Sequence, residues 1–250
     1  MQRGPCESTS EDKFERSLYL EAMSATSAFA RFVLRTTDAV AARAFYSAVL
    51  KDLPVPIVPL HEQAIARGAR AHWLGQIEVD DVEKSAQAFM ALGAQALNPQ
   101  GPFGTFPDGR RFAVLRDPGG ALVGLTSTGS TAEPRLVHWH HLHTSDLERV
   151  TAAYSTLFGW QFDGVTPTAH GALNHFGWSG EADAGAFTDI RGFEGRHAHW
   201  LFHFHVSDFD RAVASVRALN GKVVGPFELP RGERVAVCDD PQGAAFAIRG

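Results

Sequence analysis

The chain is predicted to fold as an α+β protein of four βαβββ modules, the first of them truncated, paired into two domains. Three observations predict this. Strand-then-helix stretches recur four times, each strand ending on an aspartate: Asp38, Asp81, Asp146 and Asp208. The two half-chains also match in order: His72-Trp73 with His199-Trp200, Gly101-Pro-Phe103 with Gly225-Pro-Phe227, Gly109-Arg-Arg-Phe-Ala-Val with Gly232-Glu-Arg-Val-Ala-Val, and Asp117-Pro-Gly-Gly120 with Asp240-Pro-Gln-Gly243. Finally, Asp38 to Asp81 is 19 residues shorter than Asp146 to Asp208. That deficit suits two strands of roughly 5–6 residues and their hairpin, lost from the first module.

Residues 1–28 are polar and lack an apolar period, which predicts a tail outside the fold; the repeat begins only after Met23, an alternative start. Arg31–Asp38 reads as the first strand and Ala39–Leu50 as its helix, with a proline-rich stretch at 51–59 and a connector at 62–70. His72–Asp81 is the second such strand, and its helix stops at Gly93. Ala94–Leu97, Arg111–Leu115 and Ala121–Thr126 complete an N-terminal domain, 29–127. A small-polar linker, 128–135, leads to a C-terminal domain, 136–250. There Val137–Thr144 alternates as a strand, and Ser145 with Glu148 forms a capping-box pattern before a helix that Gly159 ends. Trp160–Asp163, Gly171–Trp178 and Ala184–Ile190 are the strands this module kept. His199–Asp208, its helix to Leu219, and the strands Lys222–Val224, Arg234–Cys238 and Ala244–Arg249 form the last module.

The net charge of −5 and the absence of a Lys/Arg cluster argue against nucleic acid as a partner. No apolar run approaches the roughly 20 residues needed to span a bilayer, so no membrane partner is expected. Cys6 and Cys238 stand far apart, with no disulfide framework, and a reducing cytoplasm is the simplest setting. Oligomeric state is not legible. Gly101-Pro-Phe-Gly104 and Asp117-Pro-Gly-Gly120 open no helix and are not phosphate loops. No serine or cysteine sits in a nucleophile elbow.

Ten of the 12 histidines fall between residues 138 and 205. Alternation puts Trp139, His141 and His143 on one face of their strand, and His203 and His205 occupy the equivalent places in the last module. His170, Asn174 and His175 are expected to close the same cup, whereas His138, His140, His197 and His199 should face away or begin strands. Three readings follow. The first is a pocket for a small organic molecule lined by Trp139, His141, His143, His203, His205, His170, Asn174 and His175. The second is a divalent transition metal (Zn, Fe, Ni or Cu) held by His141, His143, His203 and His205. The third is a structural role. In the first half, Arg35 and Glu78 at matching places suggest an ion pair filling the cup of a scaffold domain. The aspartates that end the strands are helix caps before they are anything else.

The repeated module, its strand-ending aspartate, the helix with Ala-x-x-x-Tyr or Phe-Tyr, and the Asp-Pro-x-Gly turn resemble the vicinal oxygen chelate superfamily of glyoxalases, extradiol dioxygenases and bleomycin-resistance proteins. Trp139-His-x-Leu-x-Thr-x-Asp146, His199-Trp-Leu201 and Asp240-Pro-Gln-Gly243 resemble its tandem glyoxalase-like subgroup more closely. The resemblance covers about residues 30–250 and implies two vicinal-oxygen-chelate domains with open sheet cups, the N-terminal one degenerate. It implies metal ligands seven residues before the strand-ending aspartate and four after the turn glycine. Here those places hold Trp139, Leu201, Arg31, Leu74, Ala247 and Gly124, so the resemblance implies no metal at the usual positions. Function is accordingly expected to be binding of a small molecule in the C-terminal cup, with its transformation there as the further step. A metal-dependent lyase, isomerase or oxygenase and a non-catalytic sequestering protein are the alternatives.

Overall fold

The computed structural model describes residues 27–51, 54–97, 101–128, 137–178, 180–229 and 232–250. The expected linker lies almost wholly outside them, as does the tail up to residue 26. Among the described residues, fifteen strands and five helices follow in chain order: β1 (Phe29–Thr36), α1 (Ala39–Leu50), β2 (Ile57–Pro59), α2 (Glu62–Ala66), β3 (His72–Val79), α3 (Val82–Ala91), β4 (Gln95–Ala96), β5 (Phe103–Thr105), β6 (Arg111–Arg116), β7 (Leu122–Ser127), β8 (Val137–Thr144), α4 (Leu147–Phe158), β9 (Gln161–Thr166), β10 (Leu173–Trp178), β11 (Glu181–Asp189), β12 (His199–His205), α5 (Phe209–Ala218), β13 (Lys222–Glu228), β14 (Arg234–Asp239) and β15 (Ala245–Arg249).

The strands form two mixed sheets, one per half-chain. Their orders are β2-β1-β3-β7-β6-β4, with β5 also on β6, and β13-β14-β15-β12-β8-β11-β10-β9. In each sheet the first strands of two modules pair antiparallel at the centre: β1 with β3, and β8 with β12. The truncation shows at the edge. β2 lies parallel to β1 as β11 lies parallel to β8, but β2 has three residues and no hairpin like β9–β10 extends the sheet beyond it among the described residues.

Each module's helix starts where its aspartate accepts backbone N–H groups: Asp38 from Val40 and Ala41, Asp81 from Lys84, Asp146 from Arg149 and Asp208 from Arg211, all at 2.9–3.2 Å. The capping box expected at Ser145 is therefore replaced by a cap at Asp146. Ser145 points elsewhere, its hydroxyl donating to the Gly119 carbonyl at 2.8 Å. Gly159 ends α4 in the left-handed conformation at φ 68°, as expected.

The central strands pack face to face. Phe32 meets Phe202 at 5.0 Å between ring centroids, Trp73 meets Phe204 at 4.8 Å, and the His140 ring stacks on Phe29 at 5.1 Å. A continuous buried core therefore joins the two halves. It consumes one face of each central strand and leaves the opposite face for a cup. Two polar locks cross this core. Tyr46 on α1 donates to Asp240 in the last turn at 3.2 Å, and Tyr154 on α4 donates to Asp117 at 3.3 Å. The other oxygen of each aspartate closes its own Asp-Pro-x-Gly turn on two backbone N–H groups.

Two expectations fail. The tail does not run through residue 28: Ser27 is buried and its carbonyl accepts the Trp160 indole N–H at 2.7 Å, while the Ala28 carbonyl accepts Glu78 N–H at 3.0 Å. Nor does the antiparallel register let Arg35 meet Glu78. It sets Arg35 opposite His72 and Arg31 opposite Gln76, so Glu78 lies toward the far end of the strand pair.

Candidate functional site

The C-terminal cup is built on β8 and β12. Their register sets His143 opposite His199, His141 opposite Leu201, and Trp139 opposite His203, so all six side chains share the face turned away from the core. The residues between them, His140, Leu142, Trp200, Phe202 and Phe204, are buried in the interdomain core. His140 faces away as expected, with its Nδ1 on the Ala184 carbonyl at 2.8 Å.

The rings form a chain along the cup. Trp139 meets His203 edge-on at 4.8 Å; His203 lies 6.4 Å from His141; His141 lies 4.3 Å from His143, and His143 lies 4.7 Å from His199. His199, expected to face away or to begin a strand, begins β12 and also belongs to the cup. The antiparallel register opposite His143 is what places it there.

His205 departs from the expected grouping only by its place, at the last residue of β12. It keeps the regular register of β12, opposite Arg249 on β15, and so the face of His203, but it is exposed and its ring lies 5.4 Å from His138, the residue skipped in the pairing of β8 with β12. Asn174 also departs: it pairs with Phe187 on β11, on the core-facing side, and its amide donates to the Phe187 carbonyl at 3.1 Å. His175 pairs with Ala186, which in turn pairs with His141, so it shares the cup face. Its nitrogens meet Thr166 Oγ1 at 3.0 Å and Asp183 at 3.3 Å. His170 sits in the β9–β10 loop with its ring 5.8 Å from Phe227 on β13, at the opposite edge of the sheet. The sheet therefore curls until its two ends touch, and His170 forms part of the rim.

Beside the imidazoles, across β12, β15 and β14, the cup is apolar. Leu201, Val235 and Ala247 are buried together, with Leu229, Val237 and Ala245 packed against them. The cup thus has one imidazole wall and one aliphatic wall.

Hydrogen bonding assigns one tautomer. Thr188 uses its hydroxyl proton on the Ala172 carbonyl at 3.1 Å, so the contact of 2.8 Å between Thr188 Oγ1 and His141 Nε2 requires the imidazole to donate. His141 Nδ1 is then the lone-pair nitrogen. His203 is 5 % exposed and neither of its ring nitrogens has a hydrogen-bond partner. Burial, reinforced by Arg249 and neighbouring histidines, pulls its pKa down to about 3. Burial likewise lowers His141, His143 and His199, each reinforced by a neighbouring histidine. The array is neutral at pH 7.

Metal-binding members of the resembled superfamily need donors at places that here hold Trp139, Leu201 and Ala247. Indole and aliphatic side chains supply none. The alternative quartet of His141, His143, His203 and His205 does not come together, because His205 sits at the strand end. Among the described residues no three His, Cys, Asp or Glu side chains are grouped to hold an ion. The residues do not fit the superfamily's metal.

Comparison with known proteins places this geometry. The profile of the Glyoxalase/Bleomycin resistance protein/Dioxygenase superfamily matches residues 135–248. "Putative glyoxylase CFP32", from Mycobacterium bovis and from Mycobacterium tuberculosis, is 29% identical over 243 residues, covering 86% of this chain and 91% of the relative. Among solved structures, the Mn(II)-bound glyoxalase from Novosphingobium aromaticivorans superposes with TM-score 0.60 at 12% identity, covering 90% of this chain and 82% of that one. A variant of homoprotocatechuate 2,3-dioxygenase from B. fuscum gives TM-score 0.62 at 17% identity, over 92% of this chain and 72% of that one. These two likenesses are likenesses of fold. The C-terminal, histidine-bearing half of the chain is thus similar in sequence to the glyoxalase/bleomycin resistance/dioxygenase superfamily, and the duplicated module runs through both halves.

Proposed function

We propose that the C-terminal cup binds a small, uncharged organic molecule with an apolar or aromatic face. His203 carries this reading: a buried imidazole with both nitrogens unpartnered, set between Trp139 and the aliphatic wall. Buried polar groups left unpaired cost about 1–3 kcal/mol, and a ligand that pairs them recovers that cost. A neutral imidazole presents one N–H and one lone pair. Its complement offers an acceptor and a donor, as a phenol, an enol or an amide does, while the aliphatic wall takes its apolar part.

A chemical step in the cup would use His141, whose Nδ1 lone pair can accept a proton from a bound molecule. Its lowered basicity makes it a weak base at neutral pH, so the geometry supports binding ahead of turnover. Both a sequestering protein and an enzyme begin with that binding step.

The test titrates the protein with phenol, catechol and benzamide, followed by calorimetry and by tryptophan fluorescence, against His203→Phe. Phenylalanine keeps a ring there and removes both nitrogens. At least one probe is expected to bind the wild type and to bind the variant about tenfold more weakly, the equivalent of roughly one hydrogen bond. Equal binding by both proteins, or no binding by either, overturns the reading.

A further inference from the structure

The N-terminal cup carries its own set of unanswered polar groups. On the face of β1, β3 and β7 turned away from the core, Arg31 stands opposite Gln76, Gln76 opposite Gly124, and Thr126 two residues further along. Gln76 is 3 % exposed and Thr126 fully buried, yet Gln76 Oε1 and Thr126 Oγ1 have no hydrogen-bond partner, and neither has the buried Arg31 Nε. Three such atoms on three adjacent strands are not a scatter of packing defects.

The space among them is set by a glycine. A Cβ at Gly124 would come within 2.6 Å of Gln76 Cγ, so only the absence of a side chain there lets the Gln76 amide lie in the cup. The surroundings are aromatic and hold charge of both signs, with Asp108 near enough to Arg31 for that charge to help lower its carboxyl pKa. The Arg31 guanidinium lies 4.5 Å from the Phe106 ring centroid, which holds its plane fixed. Arg35, on the same face, has no carboxylate partner among the described residues, since the register sets it opposite His72. Glu78 is the carboxylate on this face, beside Thr126.

We infer that the N-terminal cup is a second ligand site, for a small organic acid that carries a hydroxyl group next to its carboxylate. The carboxylate docks on the Arg31 guanidinium edge, with Arg35 supplying the second positive charge. The adjacent hydroxyl donates to Gln76 Oε1, which can only accept. Thr126 can donate to the carboxylate or accept from the hydroxyl. Arg31 and Gln76 are directly opposed on antiparallel strands, where Cβ atoms lie about 4.5–5.5 Å apart. Groups on neighbouring atoms of one ligand span that separation. The rest of the ligand meets the aromatic side of Phe106.

Three probes of one shape separate the parts: mandelate has the carboxylate and the hydroxyl, phenylacetate lacks the hydroxyl, and mandelamide lacks the charge. Calorimetric titration of the full chain is expected to rank mandelate first, with phenylacetate and mandelamide each at least fivefold weaker. Gln76→Leu is expected to bring mandelate down to phenylacetate, and Arg31→Met to abolish both while leaving the apolar stacking on Phe106. Thermal midpoints of the variants establish that each is folded, and Arg35→Met, on a half-exposed residue, serves where Arg31→Met does not fold. His203→Phe, in the other cup, should leave mandelate binding unchanged. If mandelate and phenylacetate bind equally to the wild type, if none of the three binds, or if His203→Phe removes the binding, the site is not where the geometry puts it.

Discussion

The hydroxyl of Tyr46 donates to the carboxylate of Asp240 across 3.2 Å, joining the first helix of the chain to its last turn. The same bond is made by Tyr154 to Asp117 at 3.3 Å, in the opposite direction between the halves. Burial pushes all four groups upward in pKa, Asp117 to about 6, and each partner's charge or hydrogen bond adds to the rise for the tyrosines. A tyrosine that holds a buried carboxylate contributes more than a surface hydrogen bond. Tyr154→Phe is expected to cost roughly 1.5–3 kcal/mol at pH 7, where Asp117 is ionised. Urea unfolding of Tyr154→Phe, Asp117→Asn and the double variant measures the coupling. Additive effects would show that the bond contributes nothing.

Both bonds join elements far apart in the chain, which local sequence signals do not connect. The Asp-Pro-x-Gly turns and the helix tyrosines were each visible as motifs, but a turn signal is local and carries no information about which helix reaches it. The alternation of Val137–Thr144 was enough to put Trp139, His141 and His143 on one face, because period two is a property of the strand alone. That His199, the first residue of β12, also faces the cup depends on its pairing opposite His143, which its own strand does not carry. His205 shares the face of His203 by alternation, but its distance from the other rings depends on where β12 ends and on the extra residue at His138, neither of which the alternation marks. Arg35 and Glu78 were matched by repeat position, whereas antiparallel pairing reverses one of the two strands. The deficit in the first module, by contrast, was a matter of counting, and the short β2 edge follows from it.

Stability should fall as the solution is acidified below neutrality. His141, His143, His199 and His203 have pKa values below that of free imidazole, mainly through burial. Their stabilising contribution is therefore complete above about pH 6.5 and is lost as pH falls, because the unfolded chain takes up protons that the folded cup refuses. Each such histidine adds a slope of about 1.4 kcal/mol per pH unit within its window. Asp117 acts in the other direction. Its folded pKa is raised, so its contribution is complete below about pH 4 and declines as pH rises to about 6. Unfolding free energies across pH 4–8 should show the histidine trend, shallower in His203→Phe and steeper below pH 6 in Asp117→Asn. A flat profile would mean that the cup is hydrated well enough to protonate without cost.

Gly119→Ala should be among the most damaging single-methyl changes in the chain. A Cβ there would collide with Thr144 Oγ1 and come within 2.8 Å of Val150 Cγ1, where the turn of one half presses on the strand and helix of the other. Ser145 also grips the Gly119 carbonyl. The expected cost is about 2–3 kcal/mol, as for overpacking a tight contact, read as a lowered urea midpoint. Gly195→Ala, where a Cβ meets nothing within 4 Å, reports strain from its positive φ of 77° without any clash. Equal losses in the two variants would show that contact at Gly119 is not what matters.

A polar stretch without apolar period suggested that everything before residue 29 could be removed, but two backbone groups argue for a cut two residues earlier. The Ser27 carbonyl takes the N–H of Trp160, which is buried among Phe176, Trp178 and Tyr154. The Ala28 carbonyl extends the pairing of the first strand by accepting from Glu78. Removing residues 1–26 should leave the thermal midpoint nearly unchanged. Removing 1–28 strands an indole N–H in an aromatic cluster and frees a strand end, at about 1–3 kcal/mol for the buried donor alone. For a chain of this size that is a drop of roughly 2–10 °C relative to the shorter deletion. Trp160→Phe keeps the aromatic packing and has no N–H to satisfy, so in that background the two deletions should move closer together. Should they stay as far apart as in the wild type, the loss would belong to the strand end and not to the Ser27 carbonyl.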